Sequence, residues 1–241
     1  MKKLMTGVAL AALCATMTSF SADSIESTTV VGYQTLTIPA GFSLWTPTFV
    51  DVNAETFDLA NFKLGAEALG DSTEQIQVLD ADGINNETWV WLNENADMTP
   101  GWYDFNTWEP ITKSISVGTG YLINVTAPVT LGMKGVVFSQ QRTMTLPSGF
   151  NVFGNSSPVE ISLANIKLGA NALGDGTEQI QVLDADGINN ETWVWLNENA
   201  GMTPGWYDFN TWEPVVKTVD PGQAFLFNAT QEASVTLPSA L

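Results

Sequence analysis

The stretch TEQIQVLDADGINNETWVWLNENA, from Thr73 to Ala96, recurs without a change from Thr177 to Ala200. After a single mismatch the identity resumes as MTPGWYDFNTWEP, at residues 98–110 and again at residues 202–214. The two copies lie 104 residues apart, which is longer than the repeats of solenoids and propellers and close to the length of one small domain. We therefore expect the chain to hold two tandem copies of one module.

The repeated stretch has the pattern of two β-strands joined by a turn. Ile76 and Val78 alternate with glutamines, which is the period of a strand with one buried face. Asp82-Gly83 is typical of a hairpin turn. Thr88–Leu92 is apolar on both faces, as in a central strand.

Similar short strands, with turn residues about every 8–12 positions, continue through both copies. Ser114–Val117 and Tyr121–Val125 flank Gly118-Thr119-Gly120 and predict one more hairpin. The whole pattern predicts an all-β protein made of two tandem copies of a small antiparallel β-sandwich or open-barrel module. Glu55–Asn61 leaves room for one short helix per module.

The chain begins with the features of a secretory signal peptide. Lys2 and Lys3 precede an apolar run from Leu4 to Met17, and Ser19-Phe20-Ser21 forms a small-x-small cleavage site. The apolar run is too short for a membrane span. We expect residues 1–21 to be removed, and the protein to be secreted or held at the cell surface with no membrane span.

The remaining boundaries follow from two matching strands, which open with Val30-Val31 and Val136-Val137. They place an N-terminal extension at residues 22–29, β-module 1 at residues 30–135 and β-module 2 at residues 136–241. The longest difference between the copies lies between residues 50 and 62, where the first copy has four extra residues.

Composition excludes several kinds of chemistry. Cleavage removes Cys14, the only cysteine, and the chain has no histidine, which excludes thiol nucleophiles, Ser-His-Asp triads and imidazole-bound metals. Loss of Lys2 and Lys3 takes the net charge from −18 to −20. A surface with this charge repels nucleic acid and anionic membranes and favours divalent cations, so we expect no nucleic-acid partner.

Two short motifs frame each copy: Gly41-Phe42-Ser43-Leu44 with Gly118–Ile123, and Gly149–Val152 with Gly222–Phe227. They resemble the G-[WF]-N-L … G-x-G-[YF]-W-[VI] frame of small β-modules in secreted and cell-surface bacterial proteins. The functions of that family are largely unassigned, so the resemblance implies a β fold and a surface location and supplies no catalytic residue. The chain departs from the frame at Leu122, Ala224 and Leu226.

One candidate site is the acidic turn between the two strands of the repeated stretch. Its carboxylate and amide oxygens are ligands that calcium prefers, although their spacing is not that of an EF-hand. The candidate calcium ligands are Asp80, Asp82, Asn85 and Glu87, and in the second copy Asp184, Asp186, Asn189 and Glu191. The alternative is an ordinary hairpin turn, in which Asp-Gly and Asn-Asn accept positive φ.

The tryptophans form a second candidate, because eight of the nine lie in the repeated block, at residues 73–110 and 177–214. Trp89 and Trp91 share one strand face and either form a platform for a sugar ring or fill the core of a module that has no disulfide. Trp108 and Trp212 lie in an Asn-Thr-Trp-Glu-Pro turn and are the tryptophans we expect to be exposed for glycan stacking.

A third candidate concerns assembly. If the strand ending at Leu146 also pairs with the first module, the last strand of the second module is left with an open edge, and open edges accept a further strand. The N-terminal segment of another molecule would fill it and build a head-to-tail filament. The residues concerned are Val30, Val31, Leu36, Ile38, Val235 and Leu237. The alternative is that Ser27–Ile38 pairs within its own module.

These observations favour a non-enzymatic secreted surface protein, a structural or adhesive subunit of a surface layer or fibre. Its partners would be other copies of itself or other envelope proteins. The alternative is a tandem carbohydrate-binding protein that uses its exposed tryptophans, with two linked sites that gain avidity. Carboxylate pairs are abundant among 26 acidic residues, so their proximity does not indicate a glycosidase.

Overall fold

The computed structural model describes residues 31–51, 56–137 and 140–239. The predicted signal peptide, the extension at residues 22–29 and Val30 lie outside these residues. Within them the protein is all-β, as the sequence predicts, with 3-10 helices as the helical elements. No helix in the described part of the chain is long and apolar enough to cross a membrane.

The two modules contain the same series of elements. The strands of the first module are β1 (Val31–Ile38), β2 (Gly41–Trp45), β3 (Thr56–Asp58), β4 (Lys63–Leu64), β5 (Asp71–Leu79), β6 (Asn85–Leu92), β7 (Gly101–Asp104), β8 (Ser114–Ser116), β9 (Tyr121–Val125) and β10 (Val129–Val136). Its 3-10 helices are Leu59–Asn61 and Glu94–Ala96.

The second module follows in the same order. Its strands are β11 (Arg142–Leu146), β12 (Gly149–Gly154), β13 (Ile161–Ser162), β14 (Lys167–Leu168), β15 (Asp175–Leu183), β16 (Asn189–Leu196), β17 (Gly205–Asp208), β18 (Thr218–Val219), β19 (Ala224–Ala229) and β20 (Ala233–Leu237). Its 3-10 helices are Leu163–Asn165 and Glu198–Ala200.

Each module packs a five-stranded sheet, ordered β2-β9-β5-β6-β7 in the first module, against a three-stranded sheet ordered β1-β10-β4. The second module repeats both orders. The predicted hairpin of β8 with β9 is wrong, because β8 pairs with β3 while β9 pairs with β2 and β5. Gly118, at φ 89°, turns the chain between β8 and β9, which belong to different sheets.

Tryptophans fill the core between the sheets. Trp89, Trp91 and Trp102 are buried, and the indole N–H of Trp102 donates to the carbonyl of Phe62 at 2.8 Å. The sugar platform suggested for Trp89 and Trp91 is therefore wrong, and the core alternative is confirmed. Large buried rings stabilise a small sandwich that has no disulfide to restrain it.

The boundary between the modules lies slightly later than the sequence predicts. Val136 ends β10, where it pairs with Val31, and Val137 is buried in the first module's core. The second module's first strand begins at Arg142. Val136-Val137 therefore closes the first module and does not open the second, because β10 extends to match the length of β1.

The open edge expected at the end of the chain is not found. β20, which carries Val235 and Leu237, lies between β11 and β14 and pairs with both. Leu36 and Ile38 pair with β10 of their own module, which is the alternative that the sequence left open. Both strands invoked for donation are thus already paired within their modules.

The modules contact each other through the same elements on each side. The N–H of Thr46 donates to the carbonyl of Gly222 at 2.9 Å, and at the equivalent place the N–H of Gly154 donates to the carbonyl of Gly118 at 3.1 Å. Reciprocal contacts of this kind characterise a two-fold interface between identical subunits. The single chain is therefore built like a dimer of its own modules.

Candidate functional site

The acidic turn between β5 and β6 folds as a tight hairpin turn. One carboxylate oxygen of Asp80 accepts the N–H groups of Asp82 and Ile84, each at 3.0 Å. Gly83 adopts φ 75°, a left-handed conformation that suits glycine, and its N–H donates to the carbonyl of Asp80 at 2.9 Å. Asp184 makes the same two contacts in the second module.

This turn lies at the contact between the modules. The carbonyl of Ala81 accepts the N–H of Phe150 at 2.7 Å, and the ring of Phe150 packs on Gly83, 3.0 Å from where a Cβ at that residue would lie. The reciprocal contact joins Phe42 to the second turn. Each acidic turn therefore holds the opposite module in place, a role that the sequence did not reveal.

The candidate calcium ligands are not all directed into one site. The carboxylate of Glu87 pairs with Lys113 and accepts the indole N–H of Trp89 at 3.1 Å, and Glu191 does the same with Lys217 and Trp193. The amide of Asn189 donates to Thr192 at 2.7 Å.

The side chain of Asn85 lies outside the described part of the structure. Among the described residues no group of three or more His, Cys, Asp or Glu side chains could hold a metal ion. Calcium at the turn stays a prediction.

The second candidate is a tight loop, here called the aromatic turn, formed by residues 104–109 in the first module and 208–213 in the second. The N–H of Asp104 donates to the carbonyl of Glu109 at 2.9 Å, and the N–H of Trp108 donates to the carbonyl of Asp104 at 2.8 Å. The Asp104 carboxylate accepts the N–H groups of Asn106 at 2.8 Å and Thr107 at 2.9 Å. These two backbone hydrogen bonds lower the pKa of Asp104, and the bond from Thr107 has the larger effect.

The aromatic turn holds its tryptophan in an unusual backbone conformation. Trp108 has φ 61° and Trp212 has φ 59°, a left-handed conformation that is rare for large side chains. Such strain persists where surrounding contacts enforce it, and it is common at functional sites. Here the contacts of Asp104, and of Asp208 in the second module, enforce it.

Each aromatic turn exposes two rings. Trp108 is 49% exposed and Trp212 is 52% exposed, as the sequence predicts. Phe105 lies beside Trp108 with ring centroids 5.9 Å apart, and Phe209 lies beside Trp212 at 6.2 Å. Sequence reasoning missed both phenylalanines, whose only signal was an apolar residue within a polar Asp-Phe-Asn-Thr turn.

Polar groups border the paired rings. The N–H of Phe105 donates to the carbonyl of Thr88 at 3.0 Å, which ties the turn to β6 next to Glu87. The hydrogen bond from Lys113 lowers the pKa of Glu87, and the nearby charge of Asp104 opposes that shift. The Lys113 ammonium lies 5.3 Å from the ring centroid of Trp89. Each aromatic turn thus has a carboxylate of its own, Asp104 or Asp208, with the ammonium group of Lys113 or Lys217 close enough to act on its charge.

A buried carboxylate occurs elsewhere in each module. Glu74 is 1% exposed, and its two oxygens accept the N–H groups of Leu69 at 2.7 Å and Gly70 at 3.0 Å. Glu178 makes the equivalent contacts with Leu173 and Gly174. These glutamates fix the turn before β5 and β15, a structural use of an acidic residue that the sequence did not indicate.

The resemblance to small bacterial surface modules stays a prediction, because comparisons with protein-family models, curated proteins and solved structures each found no match.

Proposed function

We propose that this chain is an exported, non-enzymatic adhesive protein that binds glycans with its two aromatic turns. The observation that carries this proposal is the exposed tryptophan in each module, whose backbone is held in the left-handed conformation, at φ 61° for Trp108 and φ 59° for Trp212. A sugar ring presents a face of C–H groups that packs against an aromatic ring, while its hydroxyls bond to neighbouring carboxylates. Asp104 lies in the same turn as the first pair of rings, and Glu87 is close enough to Asp104 for their charges to interact.

The repeat of the aromatic turn supports adhesion over simple sugar capture. The modules contact one another through reciprocal backbone hydrogen bonds, so both turns belong to one pseudo-symmetric body. Two linked sites bind a repetitive surface with an effective concentration set by their spacing, and the resulting avidity exceeds the affinity of either site by about 10²–10⁴. A polysaccharide displays the same unit many times and suits this arrangement.

A glycan array with the exported chain tests this proposal, followed by titration of the best glycan. We expect Trp108→Ala and Trp212→Ala each to reduce binding to an immobilised glycan roughly 100-fold through loss of avidity, and the double variant to abolish it. Val159→Ala is the matched control, because Val159 is an exposed apolar residue outside the aromatic turns. Undiminished binding by the double variant, or binding to no glycan at all, would overturn the proposal.

A structural role in a surface layer or fibre is the second candidate. β1 lies at the edge of its sheet, and it exposes Val31 at 68% and Tyr33 at 71%. Exposed apolar edge strands pair with strands of other molecules. Negative-stain microscopy and light scattering of the exported chain test this role: Val31→Lys should disperse any fibres, whereas a wild-type chain that stays monomeric at every concentration would exclude it.

A further inference from the structure

The outer face of the three-stranded sheet in the first module forms a groove with a volume of about 380 Å³. Tyr33 of β1, Lys63 of β4 and Lys134 of β10 line this groove, together with Gly132 and Thr130. None of these residues belongs to the aromatic turns or to the contact between the modules. The groove is therefore a separate feature of the surface.

The register of the sheet brings the two lysines together. Tyr33 lies opposite Lys134, and Lys63 lies opposite Gly132, two residues away along the same strand. Lys63 and Lys134 are consequently diagonal neighbours on one face, at a spacing of roughly 7–8 Å. Two ammonium groups placed in this way can both bond to one anion that lies between them.

The groove has two lysines and one neighbouring carboxylate, that of Glu67, which accepts the backbone N–H of Thr130. This excess of positive charge is unusual in this protein. The chain has 8 basic and 26 acidic residues, yet no ion pair joins Lys63 or Lys134 to a carboxylate within the described ranges. By contrast, Lys113 and Lys217 are each paired with a glutamate. Two unpaired ammonium groups on one face form a site for a carboxylate from outside the molecule.

Tyr33 provides a flat surface beside these charges. Its ring end lies over Gly132, where a Cβ would be 3.2 Å from the phenol oxygen, and that oxygen accepts the hydroxyl of Thr35 at 3.2 Å. The ring is 71% exposed. Glycine at residue 132 thus leaves space for the tyrosine, whose outer surface remains open to a ligand.

The second module has only one of the two lysines and lacks the tyrosine. Lys167 corresponds to Lys63, and both pair with the central strand of their sheet. Thr236 replaces Gly132 and its hydroxyl bonds to that of Thr143 at 3.2 Å. At the positions of Tyr33 and Lys134, the second module has Gln141 and Pro238. Lys167 is therefore a matched control within the same molecule.

We propose that the groove binds an acidic sugar unit, a uronate, with Lys63 and Lys134 pairing with its carboxylate and Tyr33 packing against its ring. Charged hydrogen bonds from two lysines suit a carboxylate, and the exposed ring suits a sugar face. An acidic peptide fits less well, because β10 pairs with β1 along its length and with β4 at Leu131 and Gly132, which leaves little of its backbone for a peptide main chain. The site is independent of the aromatic turns.

The test is calorimetric titration of the full exported chain with a glucuronate-containing tetrasaccharide. The matched ligand is the same tetrasaccharide with each carboxyl group reduced to an alcohol, and a tetraglutamate peptide is the second comparison. We expect Lys63→Gln, Lys134→Gln and Tyr33→Ala each to weaken binding of the acidic tetrasaccharide roughly 10-fold or more. Lys167→Gln should bind it like the wild-type chain, and circular dichroism verifies that every variant is folded.

Several outcomes would overturn the proposal. They are undetectable binding, equal binding of the acidic and reduced tetrasaccharides, an equal loss in Lys167→Gln, or binding of tetraglutamate as tight as that of the uronate. The double variant Trp108→Ala, Trp212→Ala separates this site from the aromatic turns. It should bind the acidic tetrasaccharide unchanged, and a loss there would assign the sugar to the aromatic turns and reject the groove.

Discussion

The backbone N–H of Phe42 donates to the carbonyl of Ala185 at 2.8 Å, and this hydrogen bond joins β2 of the first module to the acidic turn of the second. Its counterpart joins Phe150 to Ala81 at 2.7 Å. The acidic turn, which looked like a metal site in the sequence, thus serves as the connection between two copies of one module. An unchanged turn in both copies keeps both connections equivalent.

Substitution of Gly41 should weaken that connection. Gly41 has φ 93°, and a Cβ at this residue would lie 2.2 Å from the carbonyl oxygen of Ala185. We expect Gly41→Ala to lower the free energy of unfolding by roughly 3 kcal/mol, from left-handed strain and overpacking together. Urea denaturation followed by tryptophan fluorescence measures the change.

A substitution at Gly201 is the matched control for Gly41→Ala, because it introduces left-handed strain but no steric clash. It has φ 71° and nothing lies within 4 Å of a Cβ there, while the first module has Asp97 at the same place with φ 58°. Gly201→Asp should therefore change stability by only about 1 kcal/mol. Equal losses for Gly41→Ala and Gly201→Asp would show that contact with Ala185 does not matter.

Substitution of Trp108 by glycine should abolish glycan binding without destabilising the protein. Because Trp108 has φ 61°, Trp108→Gly relieves left-handed strain, and we expect the free energy of unfolding to stay equal or rise by about 1 kcal/mol while glycan binding is lost. The control is Trp102→Ala, which empties the core and should cost about 3–5 kcal/mol. A large loss of stability in Trp108→Gly would mean that its ring is a packing element.

Replacement of the buried Glu74 by glutamine should destabilise the protein. Both of its oxygens accept backbone N–H groups, whereas a glutamine has only one accepting oxygen. We expect Glu74→Gln to lower the free energy of unfolding by about 2 kcal/mol, because one buried N–H loses its partner. Thermal denaturation compares it with Glu94→Gln, at an exposed residue, which should have no effect.

The pKa of Glu87 should depend on Lys113. The hydrogen bond from Lys113 holds the pKa of Glu87 below 4.5. The ion pair therefore contributes stability above pH 4.5, and this contribution is lost as the pH falls through the lower folded pKa, since the unfolded chain binds its proton first.

Carbon NMR of the glutamate carboxyl groups measures this effect. Lys113→Met should raise the pKa of Glu87 toward 4.5, and Lys63→Met should leave it unchanged. An unaltered pKa in Lys113→Met would disprove the pairing.

The calcium prediction has a direct test in the acidic turns. Asp80 already uses an oxygen to accept two backbone N–H groups, so Asp82 and Asp186 are the carboxylates whose loss should matter for an ion. If the turns bind calcium, the melting temperature of the wild-type chain rises when calcium is added, and that of Asp82→Asn, Asp186→Asn does not. A wild-type melting temperature that changes neither with calcium nor with a chelator would contradict the prediction.

The local features of this protein could be predicted from its amino-acid sequence. The alternation of Ile76 and Val78 with glutamines predicted β5, and Asp82-Gly83 predicted its hairpin turn with β6. Trp108 was correctly expected to be exposed. These features depend on neighbours within a few residues, where periodicity and turn preferences act directly.

The pairing of distant strands, and the residues that cover them, could not be predicted in this way and depend on the packing of the whole module. β8 pairs with β3 across more than 50 residues, and Trp89 is buried by the opposite sheet. The register of β10 places Lys63 and Lys134 diagonally on one face. None of these relationships can be read from neighbouring residues in the sequence. The alternation of apolar and polar residues indicates which residues share a face of a strand, but it does not indicate which strand lies beside it. Pairing across long stretches of chain is selected by the fit of the whole core.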